Sequence, residues 1–393
     1  MSPVLDQNTT PSSSAIVIIG SGLAGYTVIR EIRKLNKTIP ITLVTNEPGY
    51  FYSKPMLSTA LAGNKEASQL ISPPADGMAS QLEINILAQT DVNAINSGKQ
   101  SISTSKGEVA YRKLVLALGA DQICPSVQGN AAHEVFTVND LEDYAKFREA
   151  IQGRQKVAIV GAGLIGCEFA NDLVLGGYEV DVIDLAPHAL GRLIPEVVAS
   201  NLQSKLSAAG VRWHFNTTVQ SIDRVNHQLS ITLANGTVIS SDVALSAVGL
   251  KPRVDLAKAT GINTGIGIQV NQELETNLPH IYALGDCAEV EGLVLPYVMP
   301  IMQAARALAV TLTGQRTALT YPAMPVMVKT PALATIVSPP AKDAIGEWKS
   351  NPIEGGLEAR FESADGKLLG FVLMGTATAQ RSALTKELPA ILA

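Results

Sequence analysis

Two glycine-rich turns hold the residues of this chain best suited to chemistry. Gly20-Ser21-Gly22-Leu23-Ala24-Gly25 follows the apolar run Ile16–Ile19, and Gly161-Ala162-Gly163-Leu164-Ile165-Gly166 follows Val157–Val160. Between a strand and a helix, G-x-G-x-x-G cradles a dinucleotide. The first glycine makes the tight turn, the second admits the pyrophosphate, and the third lets helix pack on strand. The phosphates then face a helix N-terminus, where unpaired N–H groups and the dipole favour anions. One such turn alone is nearly as well explained by chance. A strand before it, a helical segment after it and an acid about twenty residues on decide for the nucleotide. Those acids are Glu47 and Asp184, each placed to grip a ribose hydroxyl. Asp184 would repel a 2′-phosphate, which points to NADH; Arg192 nearby pulls towards tolerance of NADPH. The plainer account of Asp184 is a solvated carboxylate at a strand end. Two cradles in one chain imply two dinucleotides, and so an electron relay.

Cysteine usage limits where the electrons go. Cys124, Cys167 and Cys287 are far apart, and no C-x-x-C is present, so neither a zinc site nor a dithiol motif is encoded. Cys167 and Cys287 lie in apolar elements and read as buried packing residues. Asp286 follows Gly285 at the end of an apolar strand, where it serves either as a turn cap or as an acceptor for a flavin's ribityl hydroxyl. Lys54 lies in an irregular loop and Lys329 near the C-terminal part. A lysine taken blind is a surface residue, but either one could stabilise negative charge on a reduced flavin. Glu168, in the first turn of the second fingerprint's helix, complements little more than the dipole on the plain reading; the sharper one pairs it with Lys54 across the nicotinamide site.

The elements that must position these residues read as α/β. Ile16–Gly20, Leu23–Leu35 and Ile41–Thr45 form a βαβ unit, followed by the Pro-containing loop Phe51–Asn64 with a short helix after Pro55. Ile84–Ile95 and Ser101–Val109 alternate as half-buried strands, Leu114–Leu118 is a buried strand ending at Gly119, and Leu141–Ile151 is helical. The pattern then restarts: strand Val157–Val160, helix Leu164–Leu175, strand Glu179–Ile183, helix Pro195–Ala209, strand Val243–Val248. Strand Ile281–Glu289 and helix Leu295–Gly314 return to the first unit. From about Tyr321 antiparallel strands and a closing helix, Thr378–Leu388, form a small α+β unit. The expected architecture is two Rossmann-like dinucleotide-binding domains, one inserted in the other, plus that small C-terminal domain. The boundaries are 1–119 with 251–320, 120–250, and 321–393.

The chain's 393 residues suffice for such domains. Its 30 basic and 35 acidic residues argue against a nucleic-acid binder, which needs a basic face. No apolar run is long enough to span a membrane. The leading segment, MSPVLDQNTTPSSS, lacks the basic and apolar regions of a signal peptide and reads as a disordered lead-in. With the unpaired cysteines, this points to a reducing, cytoplasmic setting.

Longer phrases carry a resemblance. The phrases are YSKPMLST, NDLEDYAKFR, GAGLIGCEFANDL, YALGDCAEV, VMPIM, VKTP and KELPAIL, and with the two fingerprints the resemblance covers Ile16–Leu392. They resemble the pyridine-nucleotide-dependent flavoproteins of the glutathione reductase fold, and within them the bacterial rubredoxin reductases. The resemblance implies FAD on Gly20, Ser21, Gly22, Ala24, Glu47, Lys54, Val92, Glu168, Asp286, Val298 and Lys329, beside Gly25 of the fingerprint. It implies NADH along Gly161, Gly163 and Gly166, with Asp184 and Gly249. The strand before the hinge usually ends Ala-Thr-Gly in these proteins; here it reads Ala117-Leu118-Gly119, which keeps the backbone contact at Gly119 and loses a hydroxyl. The cysteine pair of the disulfide reductases and the single cysteine of NADH peroxidases and oxidases are both absent from their places. The implied activity is hydride transfer from NADH C4 to flavin N5 at roughly 3–3.5 Å, then single electrons to the iron of a small docked rubredoxin. Lys54, Glu168 and Lys329 would be the residues acting on the flavin. Alkane hydroxylation, or defence against oxygen or nitric oxide, would lie downstream. The alternatives are a ferredoxin or flavorubredoxin reductase with the same flavin steps, and a non-enzymatic flavin- and NADH-dependent sensor.

Overall fold

The computed structural model describes residues 15–393; the lead-in expected over residues 1–14 lies outside the described residues. The first parallel sheet has the order Ile281–Ala283, Lys113–Leu116, Ile16–Ile19, Ile41–Val44, Asn85–Leu87. Its central strand is buried along its whole length. This is why it reads as a continuous apolar run rather than an alternating one. Helices Leu23–Leu35 and Val298–Thr313 pack together against this sheet's core. The second parallel sheet repeats the plan: Val211–His214, Glu179–Ile183, Lys156–Val160, Val243–Ser246, Val135–Phe136. The antiparallel C-terminal sheet runs Val326–Val328, Thr335–Ser338, Leu368–Gly375, Gly356–Glu362, Glu347–Ile353.

The chain passes between the two parallel sheets twice. The two passages, Ala120–Gln122 and Leu250–Pro252, pair antiparallel with each other. Arg253 Nε donates to Asp121 Oδ1 at 2.6 Å, and the Arg253 N–H to the Gly119 carbonyl at 3.1 Å. The crossing is therefore a two-stranded ribbon rather than two loose linkers.

Each fingerprint glycine has a structural reason of its own. Gly20 and Gly161 have φ of +111° and +110°, a region that L side chains rarely adopt. A Cβ on Gly25 would run into the Gly20 carbonyl, and one on Gly166 into the Gly161 carbonyl. Helix and strand touch backbone to backbone there.

Some expected elements differ. Ile84–Ile95 is not one strand: Gln89 adopts φ +47°, so that Asn85–Leu87 joins the parallel sheet and Val92–Asn96 turns into a separate antiparallel sheet. Ser101–Val109 is a hairpin, Ser101–Thr104 and Gly107–Ala110, closed where Gly107 takes φ +121°. The closing helix is a 3-10 turn, Thr376–Gln380, followed by Arg381–Glu387. A helix at Ala75–Leu82, a three-stranded sheet, Val219–Val225, Gln228–Leu233 and Val238–Ser241, and the parallel pair Ile268–Val270 and Ala288–Val290 are further elements.

Gly166→Ala is expected to lower stability by about 1–3 kcal/mol, because the new methyl meets backbone that cannot move aside. Urea unfolding of the variant beside the parent reads this out, and coincident transitions would contradict the close contact.

Candidate functional site

The two fingerprints open into one cavity of about 1170 Å³. A cavity of about 300–1,000 Å³ holds a single drug-sized ligand, so this one has room for more. Its wall includes Gly20, Ser21, Gly22, Ala24, Glu47, Lys54, Val92, Gly119, Gly161, Gly163, Glu168, Asp184, Gly249, Asp286, Val298 and Lys329. Gly25 and Gly166 are not on it, consistent with their place between helix and strand.

The middle glycines test whether dinucleotides fit. Gly22 and Gly163 are the N-cap residues of helices Leu23–Leu35 and Leu164–Leu175, and no side chain caps either helix. A Cβ built on either glycine would meet nothing within 4 Å. Space left empty over bare backbone N–H groups at a helix N-terminus suits a phosphate. Behind the first cradle, Ser21 Oγ lies 2.9 Å from Thr45 Oγ1 and 3.4 Å from Glu47 Oε2. Behind the second, Asp184 accepts from the N–H of Ala162 at 2.5 Å and of Ala186 at 2.7 Å. Asp184 thus ties the glycine turn to its own strand end while lining the cavity. The plain structural account and the ribose account of this residue are compatible, since a carboxylate has about four acceptor sites.

The expected Lys54–Glu168 pair does not form. Glu168 is 1 % exposed; its Oε2 pairs with Lys329 Nζ at 2.7 Å and accepts from Ser58 Oγ at 2.6 Å, while Oε1 accepts from the Lys329 N–H at 3.0 Å. Lys329, from the C-terminal part, and Ser58, from the Lys54 loop, occupy both carboxylate oxygens. Lys54 instead donates to Asn139 Oδ1 at 2.7 Å, within the electrostatic reach of the Asp286 and Glu47 carboxylates. Lys329 Nζ also donates to Ser58 Oγ at 2.9 Å and to the Pro55 carbonyl.

Further anchors stand on the same helix. Asp172 Oδ2 and Oδ1 accept from the N–H groups of Leu61 and Ala62 at 3.0 and 2.9 Å, and Asn171 Oδ1 accepts from that of Ala332 at 3.1 Å. Helix Leu164–Leu175 therefore holds the Lys54 loop on one side and the Lys329 loop on the other. Asn139, Ser58 and Asp172 were not among the expected site residues. Ser58 lies within the YSKPMLST phrase and Asp172 within GAGLIGCEFANDL, but nothing in their spacing announces a contact over a hundred residues away.

Burial shapes the charges. It pushes the Asp286 carboxyl up, against the pull of Lys54, and pushes Glu47 up with help from Asp140. It pushes Lys54 below the ordinary lysine range, while Asp286, Glu47 and Asp140 oppose it and Arg253 reinforces it. Cys167 and Cys287 are fully buried, as expected, and burial raises their thiols to about 12 and about 11. Neither is a thiolate at neutral pH. Among the described residues no cluster of His, Cys, Asp and Glu suits a metal ion, and no helix is long and apolar enough to cross a membrane.

Fold and cradle together define a flavoprotein that handles a pyridine nucleotide. The chain belongs to the pyridine nucleotide-disulphide oxidoreductase family, whose pattern matches residues 14–309. A second pattern, the rubredoxin binding C-terminal domain, matches residues 318–388. The chain is similar to the rubredoxin-NAD(+) reductase of Acinetobacter baylyi, with 47% identity across 95% of this chain and 98% of the relative. It is similar also to that of Alcanivorax borkumensis, with 44% identity across 96% and 99%. Among solved structures it resembles the ferredoxin reductase for the CYP199A2 system from Rhodopseudomonas palustris. The TM-score there is 0.87 and the identity 26%, over 96% of both chains.

Two outcomes follow. Gly163→Ala fills the space over the second cradle and meets no protein atom. NADH binding, read by titration of the flavin-loaded protein, is expected to weaken about tenfold or more, with unfolding unchanged; unaltered binding would mean that the nucleotide lies elsewhere. Lys54→Met tests the cost of the buried ammonium. A lysine whose folded pKa is depressed binds fewer protons folded than unfolded between its two pKa values, so stability rises with pH through that window. In the flavin-free protein, Lys54→Met is therefore expected to raise the thermal midpoint at pH 7. The gain should shrink as pH approaches about 10.5, the unperturbed lysine value. A pH-independent difference would contradict the burial cost.

Proposed function

We propose that the protein is an NADH-dependent rubredoxin reductase with FAD in the first cradle and NADH in the second. The observation that carries this is the combination of two glycine cradles, each with open space over its middle glycine, on one cavity with a C-terminal part that matches a rubredoxin-binding domain. FAD, when bound, supplies the conversion of a two-electron hydride donor into a one-electron donor. Everything else is positioning and electrostatics from this chain.

Gly20, Ser21, Gly22, Ala24 and Glu47 would hold the flavin nucleotide's phosphates and ribose, and Asp286 its ribityl chain. Val92, Gly119 and Val298 border it, Gly25 closing the helix behind. Gly161, Gly163, Gly166, Asp184 and Gly249 would hold the nicotinamide nucleotide. Asp184 favours NADH, and exposed Arg192, on the same wall, leaves room for NADPH. Lys54 would supply positive charge where the reduced isoalloxazine is negative, and Lys329, its charge balanced by Glu168, would supply a hydrogen-bond donor there. Glu168 fixes Lys329 and, through Ser58, the loop that carries Lys54. Units 1–119 with 251–320, 120–250, and 321–393 would be the flavin, nicotinamide and interface domains.

At the cavity's edge Val298, Met299 and Met327 expose apolar surface, with Arg381 beside them. A small, partly apolar rim suits a brief encounter with a small iron protein, since electron-transfer interfaces are small and transient. Alkane hydroxylation is the downstream process we favour, in a cytoplasmic setting.

Steady-state bleaching of oxidised rubredoxin by NADH and catalytic protein, with a plant-type ferredoxin in parallel, tests the acceptor. Fast rubredoxin and slow ferredoxin turnover is expected; the reverse preference would overturn rubredoxin as partner. In rapid mixing, Lys54→Ala is expected to slow flavin reduction about tenfold or more, the scale of one lost charge–charge stabilisation, with a smaller effect on NADH binding. An unchanged rate would remove Lys54 from the mechanism.

A further inference from the structure

Lys54 enters the cavity from a single 3-10 turn, Lys54–Met56. What meets its ammonium is Asn139 Oδ1, at 2.7 Å. Asn139 stands in a different unit, just before helix Leu141–Ile151. It is itself fixed at two other points: Nδ2 donates to the Ala120 carbonyl at 2.9 Å, and its backbone N–H donates to Asp143 Oδ2 at 3.1 Å. These partners allow one orientation of the amide. A carbonyl oxygen only accepts and an ammonium only donates, so Nδ2 must face Ala120 and Oδ1 must face Lys54. Ala120 belongs to the two-stranded ribbon that joins the two nucleotide units.

We propose that Asn139 is a positioning residue that holds the Lys54 ammonium on the cavity wall between the two cradles, referenced to the ribbon that joins them. This rests on the reading of Lys54 given above. Without the amide, three carboxylates compete for the lysine, Asp286 after strand Ile281–Ala283, Glu47 after strand Ile41–Val44 and Asp140 at the N-cap of helix Leu141–Ile151, while Arg253 after the ribbon repels it. Glu168 is already taken by Lys329. The amide oxygen supplies a neutral acceptor that keeps the ammonium protonated without cancelling its charge. A carboxylate at the same place would neutralise it.

The test uses the full-length, FAD-loaded protein. Carbon-13 NMR of Cε-labelled lysine, with the Lys54 signal assigned from Lys54→Arg, follows the ammonium's titration directly. Asn139→Ala removes the acceptor and is expected to move that titration down by about one pH unit, the worth of one hydrogen bond to a charged group. Asn139→Asp keeps the shape, adds a negative charge, and is expected to move it up. The alkaline fall in the rate of flavin reduction by NADH should follow in the same two directions. A merely loosened fold would move both variants alike, so equal shifts, or none in either variant, would overturn the proposal. Opposite shifts of the NMR titration with an unmoved rate profile would support the tether. They would defeat instead the role of Lys54 on which the functional reading relies.

Discussion

The carboxylate of Glu168 is the contact on which the rest of the arrangement depends. It is buried, yet it meets a lysine ammonium, a serine hydroxyl and a backbone N–H, drawn from two other parts of the chain. A buried ion pair is weak evidence for stability, because desolvation offsets much of the attraction. What such a pair does well is specify geometry, since either charge left alone in that place is costly. With Asn171 and Asp172 one turn further on, the second fingerprint's helix binds the flavin-side loop and the C-terminal sheet to itself through polar contacts of defined direction. The helix whose N-terminus forms the second cradle thus also fixes the loops that carry both lysines.

Electron transfer between two bound dinucleotides demands this registration. The two buried thiols, Cys167 and Cys287, are held protonated. The protein's contribution is to bring two cradles, each built separately on its own parallel sheet, onto a common cavity. The ribbon of Ala120–Gln122 and Leu250–Pro252 sets the spacing of the two sheets. Glu168 sets the third unit against both.

The local units were legible in the sequence. The helices at Leu23–Leu35, Leu141–Ile151 and Leu164–Leu175 begin and end at the expected residues, because apolar periodicity, glycine turns and the Asp140 cap are all local signals. The longer phrases were specific enough to indicate the family before any coordinates. Less was legible wherever the outcome depended on how the units meet. Glu168 was expected to pair with Lys54 across the nicotinamide site; it pairs with Lys329, which the fold delivers from 161 residues away. Ile84–Ile95 alternates like one strand, but a left-handed residue at Gln89 divides it between two sheets, and alternation carries no trace of that bend. Ala75–Leu82 is a helix of 8 residues, too short for periodicity to reveal.

The most direct test of the central claim is a sequential rapid-mixing experiment without oxygen. The FAD-loaded protein is mixed first with one equivalent of NADH and then, once the flavin absorbance has fallen, with oxidised rubredoxin. The account predicts that the flavin colour returns in step with the loss of rubredoxin colour, two rubredoxins for each NADH consumed, as conservation of electrons requires. A flavin that bleaches with NADH and stays bleached in the presence of rubredoxin would leave both cradles in place and contradict the relay.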